Sequence, residues 1–133
     1  MNWTKVVLAG IAGGVVMVVA GFVMHGMILA PTYVEHADVF NQEQSSPAWF
    51  ALIGIVLSLV VAILFAKSRS SWPAGWKGGA VLGLLVGLVV GFTSFYWPIV
   101  IADFPYFLAW CWLGVDAITY TLAGIVIALV YRP

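Results

Sequence analysis

Charge is what this sequence has least of. Five Lys or Arg and five Asp or Glu make up 8% of its 133 residues, where a soluble domain carries about 25% because its surface must face water. With a formal net charge of zero and no basic run, binding to nucleic acid is not expected. Cysteine is nearly absent too. Cys111 stands alone, which rules out an intramolecular disulfide and any metal or redox cluster built from several thiols. Catalytic motifs are missing as well: no H-E-x-x-H, no phosphate-binding glycine loop, no Ser/His/Asp set at a nucleophile elbow and no carboxylate pair in one apolar run. A non-enzymatic protein without a metal site is expected.

What is present is apolar. Hydrophobic residues make up 64% of the chain, mean hydropathy is +1.11, and the apolar residues fall into four runs long enough to cross a bilayer. The fold class is therefore all-α: an integral membrane four-helix bundle, one domain over residues 1–133, with helices over residues 6–30, 48–66, 78–102 and 106–130. The first run is too long for the core of a secretory signal and reads as a retained helix, stopped by Pro31. The second begins behind Ser46-Pro47, an N-cap followed by proline at the first helical position. Between them, Tyr33, Ala37 and Phe40 have the spacing of a short interfacial helix, but a surface loop is the expected form. Twenty-five-residue helices of about 37 Å exceed a hydrocarbon core of roughly 30 Å, so tilts or kinks are expected.

The few charges are sorted. Lys5, Lys67, Arg69, Lys77 and Arg132 lie at the two ends and in the second connection, whereas Glu35, Asp38, Glu43 and Asp103 lie in the other two connections. The positive-inside rule then puts both termini in the cytoplasm. Trp3, Trp72, Trp76 and Tyr131 fit an inner aromatic belt, and Trp49, Trp97, Phe104, Tyr106 and Phe107 an outer one.

Small residues recur at every fourth position. Gly75, Gly79, Gly83, Gly87 and Gly91 mark the third helix, Gly54, Ser58, Ala62 and Ala66 the second, and Gly10 and Gly14 the first. Such ridges, of glycine-zipper type, let helices approach closely in lipid, where packing and dispersion drive association. Packing the four helices of one chain is their ordinary use; a homo-oligomeric seam or docking to another membrane subunit is the alternative. Gly10 and Gly14 behind Lys5 mirror Gly83 and Gly87 behind Lys77, and proline precedes both returning helices, a pattern suggesting two parallel helical-hairpin repeats.

Asp116 lies near the middle of the fourth helix, where an ionised carboxylate costs at least about 2.5–3.5 kcal/mol unless paired, protonated or wetted. Thr119 and Tyr120 share its face. His25 lies in the outer part of helix 1, and Thr93 and Ser94 in that of helix 3, where Pro98 frees the Ser94 carbonyl and predicts a kink. These residues make a candidate polar pocket at one depth, open outward. The plain alternative is that each is satisfied alone, by serine and threonine bonding back to their own helix and Asp116 bonding Tyr120 or another helix. Gly21 and Gly26 flank His25, leaving room for a flat macrocycle. This spacing resembles the pigment-ligating helices of bacterial light-harvesting proteins, so a tetrapyrrole (pigment or haem) is a lesser reading. Met17, Met24 and Met27 beside His25 would suit Cu(I), though packing explains methionines as well. The aromatic excess around Phe92, Phe95, Tyr96, Trp110 and Trp112 is a candidate surface for lipid, quinone or a partner subunit.

The Met1-Asn2-Trp3 start, the glycine-bearing third helix and the stretch Gly114 to Gly124 together resemble a group of small bacterial four-span proteins classed as a domain of unknown function. The likeness departs from the pattern around His25, where that group's aromatic motif is not reproduced. It implies the architecture and a bacterial inner membrane, and no activity. The leading expectation is an accessory membrane subunit, packing against itself or a larger complex in the lipid bilayer; the competing one is a small proton- or solute-coupled carrier or channel using Asp116.

Overall fold

A computed structural model describes residues 1–41 and 46–132, so Glu43 of the acidic connection lies outside the described residues. Every regular element among them is helical. Four helices are long and apolar enough to cross a membrane, Trp3–Ile28, Pro47–Ser71, Trp76–Val100 and Tyr106–Val130, the architecture of a multi-pass membrane protein.

Helix α1 (Trp3–Gly21) starts earlier than the apolar run because the Asn2 side chain accepts a hydrogen bond from the Lys5 backbone N–H at 3.1 Å. Its continuation, Phe22–Ile28, is π-helical. Pro31 does not end the chain's helical path: it sits in the first turn of a new short helix, α2 (Ala30–Glu35), where its missing N–H has no partner to lose. The expected loop is thus partly helix. Helix α3 (Pro47–Ser68) does start behind Ser46, though the serine side chain makes no capping bond. At its far end Ser68 Oγ donates to the Leu64 carbonyl at 2.6 Å and receives Trp72 Nε1–H at 2.6 Å, and a 3₁₀ turn, Arg69–Ser71, follows. Gly75, at φ 68°, takes the left-handed turn that admits α4 (Trp76–Phe92).

The third span is broken where Pro98 predicts it. Lacking an N–H, Pro98 leaves the Ser94 carbonyl to the Trp97 N–H, and the helix tightens into a 3₁₀ turn, Thr93–Tyr96, before the short α5 (Trp97–Val100). Asp103, at φ 62°, makes the sharp turn into α6 (Tyr106–Val130), whose bounds coincide with the expected ones.

The helices stand in the order α3–α1–α6–α4. Each hairpin packs within itself, α1 with α3 and α4 with α6; α1 and α6 join the two, while α3 meets α4 and α6 only lightly. The continuous core contains Val6, Ala9 and Met17 of α1, Val61, Ala62 and Phe65 of α3, Leu82 of α4, and Tyr120, Ala123, Ile127 and Ala128 of α6. All of it lies in the half nearer the basic end. Beyond Met17 no residue of the first span is buried, and none of α3 before Gly54.

Glycines set the helix separations. A Cβ on Gly79 would run into the Gly124 carbonyl, and one on Gly83 into the Tyr120 carbonyl; one on Gly87 would stand 2.6 Å from the Asp116 carbonyl, and one on Gly91 2.9 Å from Leu113 Cα. In the first hairpin, Gly10 and Gly14 face Leu59 and Ile55 at 2.9 and 2.8 Å from their Cα atoms, and Gly54 faces Val18. Gly13 abuts Ser58 and Ile127, joining α1 to α3 and α6. The buried small residues Ser58 and Ala62 complete the α3 ridge.

Candidate functional site

The inward arc of α6 carries Ala109, Trp112, Asp116, Tyr120, Ala123 and Ile127 at spacings of three and four residues, one face of the helix. The arc is closed below Asp116, where Tyr120, Ala123 and Ile127 are 2%, 0% and 0% exposed, and again at its far end, where Ala109 is 0% exposed. Asp116 lies at its centre yet is only half-buried, because α1 and α3 no longer cover α6 at this level. Its carboxylate meets no hydrogen-bond donor among the described residues.

Neither bond of the plain alternative, from Asp116 to Tyr120 or to another helix, is made among the described residues. The Tyr120 hydroxyl is buried without a partner, and so are Thr119 Oγ1, one turn from Asp116, and Ser58 Oγ, deeper in the core. A buried hydroxyl left unpaired loses its hydration without return, and most such groups in proteins have a protein or water partner. Two of the three lie within one turn of Asp116, on its basic-end side.

One turn nearer the acidic end, three elements converge on one hydroxyl. Tyr33 of α2 lies 2.6 Å through Oη from His25 Nδ1, and Trp112 Nε1–H donates to the same oxygen at 2.8 Å. The π-helical segment makes this meeting possible. A π turn holds more residues than an α turn, so each residue rotates less about the axis and His25 swings inward toward α6. The His25 ring lies 6.0 Å from Tyr33, nearly parallel, and 6.3 Å from Trp112, edge-on. Phe40 and Phe104 close over the cluster, with Phe40 4.9 Å from Tyr33 and Phe104 5.4 Å from Trp112 between ring centroids. Burial pushes the Tyr33 phenol above its ordinary value of 10.0, against the opposing effect of the Trp112 bond, and it stays neutral at physiological pH.

The pocket at a single depth does not form. The α4–α6 register pairs Gly83 with Tyr120, Gly87 with Asp116 and Gly91 with Leu113, which sets Ser94 level with Ala109 and Trp110, about 9 Å from Asp116 along the axis. No hydrogen bond joins His25, Ser94 and Asp116 among the described residues; they are strung along the bundle because helix register, not residue type, fixes their heights. Ser94 is buried. Thr93 is exposed and bonds back to the Val90 carbonyl at 2.6 Å, the plain alternative.

Of the two glycines flanking His25, Gly21 has open space where a Cβ would stand, but Gly26 faces the Phe22 ring at 3.1 Å. With Nδ1 engaged by Tyr33, only Nε2 is left for a metal. Met17 is buried in the core and Met27 exposed, so the methionines do not share one environment with His25. Among the described residues no three His, Cys, Asp or Glu side chains gather closely enough to hold a metal ion.

Sequence reasoning missed Tyr33 and Trp112 as partners of His25. The available signal was their chemistry: an aromatic donor four residues from Asp116 on one face, and a phenol eight residues after the histidine. No family model, no curated protein and no solved structure matches this chain.

Proposed function

We propose that this protein is a small, non-enzymatic membrane carrier or channel-like protein in which Asp116 receives a proton or a small polar solute through a crevice on the acidic-connection side. The observation that carries the reading is the position of Asp116, central on the inward arc of α6, half-buried and without a donor among the described residues, directly above a closed core. A carboxylate so placed is tolerable where water or solute reaches it. The unpartnered hydroxyls of Thr119 and Tyr120 are the groups that such a water or solute would satisfy. His25, held through Tyr33, stands at the mouth with Nε2 available to pass a proton.

The membrane is the bacterial inner membrane, as the resemblance in layout implies, and both termini face the cytoplasm, as the grouping of every lysine and arginine at one end implies. The crevice then opens outward. In proteoliposomes enclosing a pH-sensitive dye, the wild-type chain dissipates an imposed proton gradient and Asp116→Asn does not, although both assemble. Equal rates in the two would sink the proton reading. Labelling by a hydrophobic carbodiimide at Asp116 supports either cargo, and its absence counts against both.

An accessory subunit is the second reading. The ridges that first suggested it are occupied inside the chain: Gly10, Gly14, Gly54, Gly79, Gly83, Gly87 and Gly91 all face this chain's own helices. What favours it instead is an exposed aromatic hollow of about 230 Å³ formed by Val89, Phe92, Phe95, Tyr96 and Ile99. Purification in mild detergent with mass spectrometry separates the two readings. A stoichiometric membrane subunit lost on Tyr96→Ala supports the accessory role, and a partner-free chain the carrier.

A further inference from the structure

The basic end of the bundle holds an open concavity of about 830 Å³, within the range of about 300–1,000 Å³ common for small-molecule sites. Lys5, Lys67, Arg69 and Arg132 line it from three separate parts of the chain, with Trp72 and Tyr131 beside them. Among the described residues no acidic side chain lines it. Glu35, Asp38 and Asp103 lie in the connections at the opposite end, and Asp116 lies at mid-span.

A topological signal alone needs cations near the membrane surface, not cations gathered around one hollow. Here they are positioned. Lys5 Nζ donates to the Arg132 carbonyl at 2.7 Å, which ties the two termini together and leaves two ammonium donors. Arg69 lies over the Phe65 ring at 5.4 Å and directs Nη1 toward the Trp72 and Pro73 carbonyls, each at 3.4 Å; its remaining N–H groups keep their fork geometry. Lys67 has no hydrogen-bond or ion-pair partner among the described residues. Two helices begin at this end and two finish, so the helix dipoles largely cancel and the side chains set the field. Half-buried Trp72 and Tyr131 place the hollow at the depth of the interfacial aromatic belt, which is also the depth of lipid phosphates.

We infer that this concavity binds a phosphate-bearing anion, the headgroup of an anionic phospholipid or free phosphate, with Arg69 and Lys67 as its main donors and Lys5 and Arg132 closing the far side. Arginine matches phosphate with paired N–H donors and lysine as a point charge, and basic hollows between spans are suited to anionic headgroups. The site is independent of the Asp116 crevice, from which the closed core separates it.

Native mass spectrometry of the full chain tests the inference, using phosphatidylglycerol, phosphatidylcholine and inorganic phosphate as probes. Wild type retains phosphatidylglycerol over phosphatidylcholine, and Lys67→Gln/Arg69→Gln binds it roughly ten- to thirtyfold more weakly. Lys77→Gln, an exposed cation outside the hollow, leaves it unchanged. Displacement of the lipid by millimolar inorganic phosphate assigns the site to free phosphate, and retention assigns it to the lipid. Equal losses in Lys77→Gln and the double variant, or equal retention of the two lipids, would overturn the proposal. Unchanged helical circular dichroism in the variants excludes misfolding as the cause of a loss.

Discussion

The two halves of this bundle, divided near Met17 and Tyr120, are built by different means. Toward the basic end all four helices contribute to one closed core, with main chains in contact at Gly79 and Gly124. Toward the acidic end only α4 and α6 stay close, through Gly87 and Gly91, while α1 leaves α3, turns π-helical and hands over to α2. There a small local core holds the buried Ser94, Phe104, Leu108 and Ala109, and the contacts beyond it are aromatic edges and one shared hydroxyl. In lipid the hydrophobic effect does not drive helices together, so the half that makes close contacts supplies the stability. The other half is free to hold irregular backbone and polar groups, which membranes tolerate where a cavity or protein surrounds them.

The contrast is broken most severely at the glycines. Gly83→Leu drives a side chain into the Tyr120 carbonyl, a backbone atom that cannot rotate away, and the expected loss exceeds about 3 kcal/mol. Leu84→Ala, on the 44% exposed neighbouring face, stays within about 0.5 kcal/mol. Thermal unfolding in detergent compares them, and equal tolerance would deny the close crossing its role.

Next in size is the core itself. Phe65→Ala empties a site that is 1% exposed and is expected to cost about 2 kcal/mol or more through the cavity. Phe92→Ala, in the open half and 65% exposed, leaves the unfolding temperature within experimental scatter. Similar losses in both would erase the division into halves.

Much of this division was beyond the sequence, for physical reasons. The apolar runs fixed four spans, and α6 was bounded to the residue because Pro105 and the polar end at Arg132 flank an unbroken run. The glycine period identified the close faces, since no other residue type permits such an approach. The π-helical segment left no trace: apart from His25 and Gly26, Phe22–Ile28 is as apolar as its surroundings, and a hydrophobic stripe shows no period where nearly every position is hydrophobic. Pro31 alone does not tell a stop from a restart, because proline fits both the end of one helix and the first turn of the next. His25, Ser94 and Asp116 were grouped by depth counted from helix ends, a count that the π turn and the register of α4 on α6 both shift.

A smaller effect sharpens the comparison from the acidic end. Tyr33→Phe removes the hydroxyl shared by His25 and Trp112, with an expected cost of about 1 kcal/mol and a change in tryptophan fluorescence. Because burial raises the Tyr33 phenol above 10.0, the folded state holds this proton more tightly than the unfolded chain does. The stabilisation is fully present below pH 10.0 and declines as pH rises from there through the raised value. Stability that falls equally in Tyr33→Phe over that window would remove the linkage. The smallest effect is expected at Thr93→Val, whose hydroxyl only bonds back to its own helix; carrier activity should be unaltered in the proteoliposome assay.

The division itself is measured most directly by cysteine accessibility at two positions on the same inward arc of α6. In a Cys111→Ala background, Asp116→Cys and Ala123→Cys are each exposed to a membrane-impermeant maleimide in intact cells. Labelling at position 116 and none at position 123 is the result the proposed crevice predicts, position 123 being sealed in the core. Labelling at both positions, or at neither, would contradict an open half standing on a closed one.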